Sequence, residues 1–159
     1  MSNGIYPLTI KGKEKLDEEL YHLLHVEKHR IIKSIEVARA HGDLSENADY
    51  DAAKQQQGLN EARIADIQSK LARSEVINPT EIKSDCIVFG AICTLKDLDS
   101  DKVVTYQIVG EDEADIKSGS ISIFSPLAKA LIGKKKADIV EIKTPKGEKD
   151  YEVIKFKFK

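Results

Sequence analysis

Four carboxylates lie within nine positions of one short stretch of the chain: Asp43, Glu46, Asp49 and Asp51. Carboxylate oxygens suit Mg²⁺, which commonly takes one or two of them and keeps water or phosphate oxygens as its other ligands. A helix start needs only one or two acids, and like charges this close repel each other. A capping box formed by Asp43 and Glu46 is the simpler interpretation, and it accounts for these acids without any function. The functional interpretation, which the excess of acids favours, is that two of them share a divalent cation.

Basic residues flank the acidic stretch on both sides. Arg39 and His41 precede it, and Lys54 follows it. They can neutralise the acids as exposed ion pairs, each of which contributes little to stability. They can also contact phosphates beside a cation that the acids hold. The pattern therefore predicts either an ion-paired turn or a site for a metal ion and a phosphate-bearing ligand.

Two other groups of residues resemble sites by composition. His22, His25 and His29 share one helical stripe, as a zinc site would require, but no cysteine lies nearby, and a partly exposed helix face is the simpler interpretation. The GKKK run at residues 133–136 lacks the spacing of a phosphate-binding loop and predicts a solvated turn. No nucleophile–base constellation is evident, so the chain shows no site for catalysis of its own.

Two long helical segments must position the acidic stretch. Apolar residues recur at spacings of three and four from Leu16 to Ala38, after Thr9, which can cap the helix. The second segment repeats this pattern as far as Leu71, with alanines nearest the acidic stretch. A short connection makes the two helices antiparallel neighbours, about 40–45 Å long. The acids would then lie at the far end of a slim helical hairpin.

The period of the pattern changes after Pro79. Five short segments rich in Val, Ile, Tyr and Phe predict strands, and Ser125, Pro126 and Gly133 mark the start and end of one short helix. The fold class is therefore α+β, with a helical hairpin at residues 1–78 and a small antiparallel sheet with one helix at residues 79–159.

The overall composition limits the functional class. Among 159 residues, 41% are hydrophobic and 33% charged, which is typical of a globular protein. The net charge of −2 excludes a globally basic surface for nucleic acid, so any such contact must be local or made through a partner protein. No membrane span or secretion signal is evident. Cys86 and Cys93 fall on opposite faces of a predicted strand and are expected to be unpaired in a cytoplasmic protein.

The hairpin end and the second half together resemble a known family. The stretch ARAHGDLSENADYDAAK, residues 38–54, is similar to the coiled-coil tip of the GreA/GreB family of bacterial transcript-cleavage factors. Residues 104–142, from VTYQIVGEDE to KKKADIVEI, are similar to the C-terminal domain of that family. The resemblance extends from Leu16 to Phe156, and the acidic positions show no departure from the pattern.

The resemblance implies a mechanism as well as a fold. Members of the family have an FKBP-like C-terminal domain, which docks at the mouth of the RNA polymerase secondary channel, and a hairpin that reaches down this channel. They act on backtracked polymerase and stimulate its own Mg²⁺-dependent cleavage of the extruded 3′ end of the nascent RNA. The resemblance thus implies no enzyme activity of the protein alone, no cofactor of its own, and a monomer with no membrane contact.

The resemblance also assigns roles to individual residues. Asp43 and Glu46 correspond to the acids that hold Mg²⁺ jointly with the polymerase, and Arg39 and Lys54 to the basic positions near the RNA. The pair Ser125-Pro126 corresponds to the docking side of the C-terminal domain. Two alternatives remain: a channel-binding modulator or inhibitor that does not stimulate cleavage, and an FKBP-like isomerase or chaperone.

Overall fold

The computed structural model describes residues 4–43 and 47–159, which form two compact units. The first contains Glu14–Arg73 together with Gly4, and the second contains Ile5–Lys13 and Ser74–Lys159. The sequence predicts one boundary, between residues 78 and 79. In the structure an N-terminal segment joins the second unit, and that unit begins again at Ser74. No helix among the described residues is both long and apolar enough to cross a membrane.

The first unit is a helical hairpin, and its first arm, which begins at Ile10 within the second unit, contains one irregular turn. Thr9 precedes this arm, and its hydroxyl accepts a hydrogen bond from the Gly12 amide at 3.1 Å, which confirms the predicted cap. Neither Pro nor Gly interrupts the arm from residue 13 to residue 39, so the helix continues for the predicted length. The helical segments are α1 (Ile10–His22), a π-helical turn (Leu23–Glu27), α2 (Lys28–Arg39) and α3 (Ala48–Ala72).

The two arms pack along a seam of apolar residues at helical spacing. Ile31 on α2 and Ile67 on α3 are buried. Nearer the connection the buried residues are Ala38 and Ala53, which confirms that small residues line this end of the seam. Burial of this stripe stabilises the hairpin, because most of the stability of a protein helix comes from packing of its apolar face rather than from helix propensity.

Polar contacts between the arms fix their direction and register. The Arg63 guanidinium donates to both carboxylate oxygens of Glu19, at 2.7 and 2.8 Å. The Asn60 side-chain amide, which is 9% exposed, donates to the Leu23 carbonyl at 3.3 Å. Residues late in α3 therefore face residues early in the first arm, so the arms are antiparallel, as predicted.

The second unit contains a five-stranded sheet and a separate pair of short strands. Segments rich in β-branched and aromatic residues form the sheet, and all five predicted strands are present. The short pair joins the N-terminal strand to the segment that follows α3, in parallel register from Tyr6↔Ser74 to Thr9↔Ile77. The strands are β1 (Tyr6–Thr9), β2 (Ser74–Ile77), β3 (Ala91–Asp97), β4 (Val103–Val109), β5 (Ser120–Ser122), β6 (Ile139–Thr144) and β7 (Gly147–Phe158).

The sheet has the strand order β5-β4-β3-β7-β6. Neighbouring strands are antiparallel except β4 and β5, which run parallel from Gln107↔Ser120 to Val109↔Ser122. The prediction of a wholly antiparallel sheet is therefore wrong at this edge. The connection between β4 and β5 contains two 3₁₀ turns, Glu111–Glu113 and Ile116–Ser118. It returns the chain to the end of the sheet at which β4 starts, so β5 runs in the same direction as β4.

One face of the sheet and the short helix α4 (Pro126–Leu131) enclose the core of the second unit. The Ser125 hydroxyl caps α4 by accepting from the Ala128 amide at 3.2 Å, and Gly133 follows the helix with φ +86°, both as predicted. Leu95, Ile108, Leu131 and Val153 are fully buried in this core.

Both cysteines are free, as predicted, but their surroundings differ. Cys93 is buried in the core, and burial raises the pKa of its thiol to about 12. Cys86 is half-buried, and its sulfur lies 3.6 Å from the Ser84 hydroxyl.

The carboxylate of Glu113 fastens the N-terminal strand within the second unit. Its Oε2 accepts from the backbone amides of Thr9 and Gly110, both at 3.0 Å, and its Oε1 accepts from the Thr9 hydroxyl. Next to it, the Tyr6 hydroxyl donates to Asp112 at 2.6 Å. Burial, followed by this hydrogen bond, raises the pKa of the Tyr6 hydroxyl well above its usual value.

Candidate functional site

The candidate site is the hairpin tip, residues 40–47, which connects α2 to α3. Helix α2 ends because the chain reverses at Gly42, whose φ of +105° is strained for any residue with a Cβ. The His41 amide donates to the Ala38 carbonyl and the Gly42 amide to the Arg39 carbonyl, each at 3.2 Å. These bonds close the last turn of α2 in the manner of a glycine-terminated helix.

Asn47 begins the second arm and bonds to the end of the first. Its Oδ1 accepts from the Tyr50 amide at 3.0 Å, so Asn47 is the N-cap of α3. Its Nδ2 donates to the Ala38 carbonyl at 2.6 Å. The capping box suggested by the spacing of Asp43 and Glu46 is therefore wrong, because α3 begins at Ala48 and another residue caps it.

Two of the four acids lie in the first turn of α3. Asp49 and Asp51 both occupy this turn, where their charge complements the positive end of the helix dipole. Both side chains are exposed. This position accounts for their presence without a ligand.

Asp43 lies before the helix, on the exposed side of the tip. It lines a shallow open pocket together with His41, Asn47, Ala48 and Asp49. Glu46, the other acid predicted to act at the tip, lies outside the described residues. Of the predicted acidic pair, the structure therefore locates Asp43.

The basic residues predicted to contact RNA lie on the two helices that flank the tip. Arg39 is the last residue of α2 and is exposed. Lys54 is exposed on α3, and its Nζ donates to Gln57 of the same helix at 2.9 Å. The pocket that contains Asp43 is instead bordered by His41, whose role the sequence left open.

Sequence reasoning missed a second depression, of about 520 Å³, on the side of the hairpin next to the tip. Arg30, Lys33 and His41 give it a basic wall, and Asp49 contributes one acid. The Arg30 guanidinium is paired with Glu27 at 2.9 Å, and this bond raises the pKa of Arg30 and lowers that of Glu27. The recurrence of Arg30, Lys33, Val37 and His41 at spacings of three and four is the signal that could have revealed this face.

The described part of the tip presents a carboxylate that is chemically suited to a divalent cation. Carboxylate oxygens are the ligands that Mg²⁺ prefers, and the exposed Asp43 at an open pocket can offer one or two of them. Among residues 4–43 and 47–159, no group of three or more His, Cys, Asp or Glu side chains converges to hold a metal ion. An ion bound at Asp43 would therefore need ligands in addition to the described residues.

The predicted docking pair lies in the second unit. Ser125 is half-buried. Its hydroxyl donates to the Ser122 carbonyl at 2.7 Å and accepts from the Ala128 amide as the cap of α4. Pro126 is exposed at the first position of α4, next to Phe124, whose side chain is 48% exposed. The turn thus presents an apolar surface held in place by a helix cap.

Comparison with known proteins identifies both halves of the chain. Residues 6–76 match the family model of the transcription elongation factor N-terminal domain, and residues 82–158 match that of the GreA/GreB C-terminal domain. Transcription elongation factor GreA of Trichlorobacter lovleyi is 54% identical over 99% of both chains. That of Neisseria meningitidis serogroup A is 50% identical over 96% of this chain and 97% of the relative.

A solved structure is also similar over nearly the whole chain. It is that of the GreA factor homolog 1 (Gfh1) of Thermus thermophilus, with 27% identity, coverage of 96% of this chain and 98% of the other, and a TM-score of 0.44. The family models and the near full-length relatives establish that the chain belongs to the GreA/GreB family of transcription elongation factors.

Proposed function

We propose that this protein binds backtracked RNA polymerase, inserts its hairpin tip through the secondary channel, and stimulates cleavage of the extruded RNA 3′ end by the polymerase. The observation that carries this proposal is the exposed Asp43 at the far end of a two-helix hairpin, in a family of elongation factors. Helix α3 has 25 residues and is about 37 Å long, enough to reach into a deep channel. The protein would act in the cytoplasm as a monomer.

In this proposal the catalytic site is divided between two proteins. Asp43 and Glu46 would hold one Mg²⁺ jointly with the polymerase, so the factor needs no cofactor of its own and is not an enzyme alone. When bound, Mg²⁺ stabilises the charge that develops on oxygen during phosphodiester hydrolysis. Asp43 and Glu46 would supply negative charge and oxygen ligands and would orient water between the tip and the RNA.

The flanking residues would bind and orient the substrate complex. Arg39 and Lys54, exposed on the two arms, would contact phosphates of the extruded RNA. The turn at Ser125-Pro126 would dock on the polymerase at the channel mouth. Loss of these contacts should weaken binding, whereas loss of the acids should slow cleavage at saturating factor.

The test is RNA cleavage on a backtracked elongation complex, with the factor titrated to saturation. We expect Asp43→Asn and Glu46→Gln each to lower the maximal cleavage rate by at least about a hundredfold, because a lost metal ligand removes several kcal/mol of transition-state stabilisation. The concentration of factor that gives half-maximal stimulation should stay within about twofold, since neither change alters a docking residue.

Asp51→Asn is the matched control, since it removes an exposed carboxylate from the first turn of α3 without touching the proposed pair. It should keep the parental rate. If the unaltered protein binds the complex without stimulating cleavage, it is a modulator of the channel, and the proposed function is wrong. Equal maximal rates for the parent and the Asp43→Asn variant would refute the roles assigned to the acids.

A further inference from the structure

We propose that Asn47 is a positioning residue for Asp43, because its amide ties the start of α3 to the end of α2 at the hairpin tip. This inference rests on the proposed function, since it concerns the geometry with which the tip acts. The evidence for it is a single side chain that bonds to both arms. Its Oδ1 accepts from Tyr50 on α3, and its Nδ2 donates to Ala38 on α2.

The Asn47 amide donates to the Ala38 carbonyl in the last turn of α2. Carbonyls in the last turn of a helix have no helical amide four residues later from which to accept a bond. The Ala38 carbonyl also accepts from the His41 amide at 3.2 Å, so both of its lone pairs are used. Ala38 is buried and Asn47 is half-buried, so the connection between the arms is partly shielded from water. Shielding strengthens a hydrogen bond and makes its loss more costly.

Only an amide side chain of this length can do both tasks. Serine, threonine and aspartate cap helices as well as asparagine does, but a hydroxyl on a shorter side chain does not reach as far, and a carboxylate cannot donate. Capping alone therefore leaves the choice among four residue types open. The second bond, to Ala38, is what requires asparagine at position 47.

The link closes the tip into a short loop that contains Asp43. Asp43 lies between Ala38 and Asn47 in the sequence, and the hydrogen bond joins these two residues. Reactions that depend on oriented groups are sensitive to displacements of about 1 Å. Without this link, the segment after α2 that carries Asp43 is no longer tied to the start of α3, and the position of the carboxylate is less restricted.

The experiment compares Asn47→Ser with Asn60→Ser in the full-length protein on backtracked complexes. Serine at position 47 keeps the N-cap but loses the bond to Ala38. Asn60 is the matched control, because its amide also donates to a backbone carbonyl of the opposite arm, Leu23, in the middle of the hairpin. Asp43→Asn is included as a variant that should abolish stimulation. Thermal unfolding of all variants is recorded alongside the cleavage titrations.

We expect Asn47→Ser to lower the maximal cleavage rate by about tenfold or more, with a half-saturating concentration within about twofold of the parent. Asn60→Ser should lower the unfolding temperature by at least as much as Asn47→Ser does, and it should keep the parental cleavage rate.

An unchanged maximal rate for Asn47→Ser overturns the inference. An equal loss of rate in Asn60→Ser also overturns it, as does a change in the half-saturating concentration alone. In each of these cases loss of activity in Asp43→Asn would leave the proposed function standing. If the parent itself stimulates no cleavage, the proposed function fails and this inference fails with it.

Discussion

At the level of single residues, two helical glycines have opposite surroundings. A Cβ on Gly12 would lie 2.1 Å from Cδ of Glu113, whose carboxylate is held by several hydrogen bonds. Around Gly58 on α3 nothing lies within 4 Å of the corresponding position. The same residue type is thus required by packing in one helix, whereas no contact in the structure explains it in the other.

Alanine substitution should therefore have opposite effects at these two positions. We expect Gly12→Ala to lower the free energy of unfolding by about 1–3 kcal/mol, because the Glu113 side chain cannot yield without losing its bonds. Gly58→Ala should raise it by about 0.5–1 kcal/mol, because alanine is the better helix former. Urea denaturation measures both. A loss of stability in Gly58→Ala would contradict the open space around this position, because it would show that a methyl group is not accommodated there.

The tip shows how far residue patterns predict a site. The sequence places Asp43 at the exposed end of a hairpin, and the structure confirms that position. It also suggested Asp43 and Glu46 as a capping box, because their spacing fits that motif. Asn47 fits an N-cap equally well, and the bond that it accepts from the Tyr50 amide shows that it caps α3. Its second bond, to Ala38, depends on where the other arm lies, so a local pattern cannot encode it.

At the level of elements, strand β1 depends on a carboxylate about a hundred residues away in the sequence. Glu113 accepts from Thr9 and Gly110, so one side chain satisfies the backbone at a strand end and at a 3₁₀ turn. Glu111, in the same turn, is exposed and offers a matched comparison. The two glutamates separate the effect of the hydrogen bonds from that of negative charge.

We expect Glu113→Ala to lower the free energy of unfolding by about 2–3 kcal/mol, since it leaves buried amides without their charged acceptor. Glu111→Ala should change it by no more than about 0.5 kcal/mol, as is usual for exposed positions. Urea denaturation with equal slopes for all variants tests the difference. Similar losses for both variants would mean that the charge of the turn, rather than the hydrogen bonds of Glu113, stabilises β1.

Helices and strands differ in how well the sequence predicts them. The strands of the five-stranded sheet and the hairpin arms lie in segments with a clear hydrophobic pattern, and the structure confirms them. The strands β1 and β2 are only four residues each, and their partners are far apart in the sequence, so no local period marks them. The π-helical turn at Leu23–Glu27 was not predicted either, because apolar residues recur at ordinary helical spacings from Leu16 to Ala38. The parallel β4–β5 pair was missed because direction depends on the path of the connection.

For the whole molecule, the division into units differs from the boundary that the sequence suggests. A fragment of residues 79–159 would lack both β1 and β2, and with them the partners of Glu113 and Asp112 from the N-terminal segment. The sheet itself, from β3 to β7, would remain complete. The fragment therefore tests what the N-terminal segment contributes to the second unit.

We expect amide hydrogens in β3 and β7 of this fragment to exchange at least about tenfold faster than in the full chain, because loss of packing and hydrogen bonds worth about 1.4 kcal/mol or more raises the population of open states by at least that factor. Hydrogen exchange followed by NMR measures this. Equal protection in the two proteins would support an independent domain that begins at residue 79.

The contrast between the two thiols has a practical consequence for measuring association. Cys93 is buried and its thiol remains protonated near neutral pH, so alkylating reagents, which attack the thiolate, do not reach it. Cys86 is half-buried and is the only other cysteine in the sequence. A single fluorophore can therefore be attached to the natural sequence of the second unit. Fluorescence of the labelled protein would measure its binding to a partner, with no substitution in either arm or at the tip.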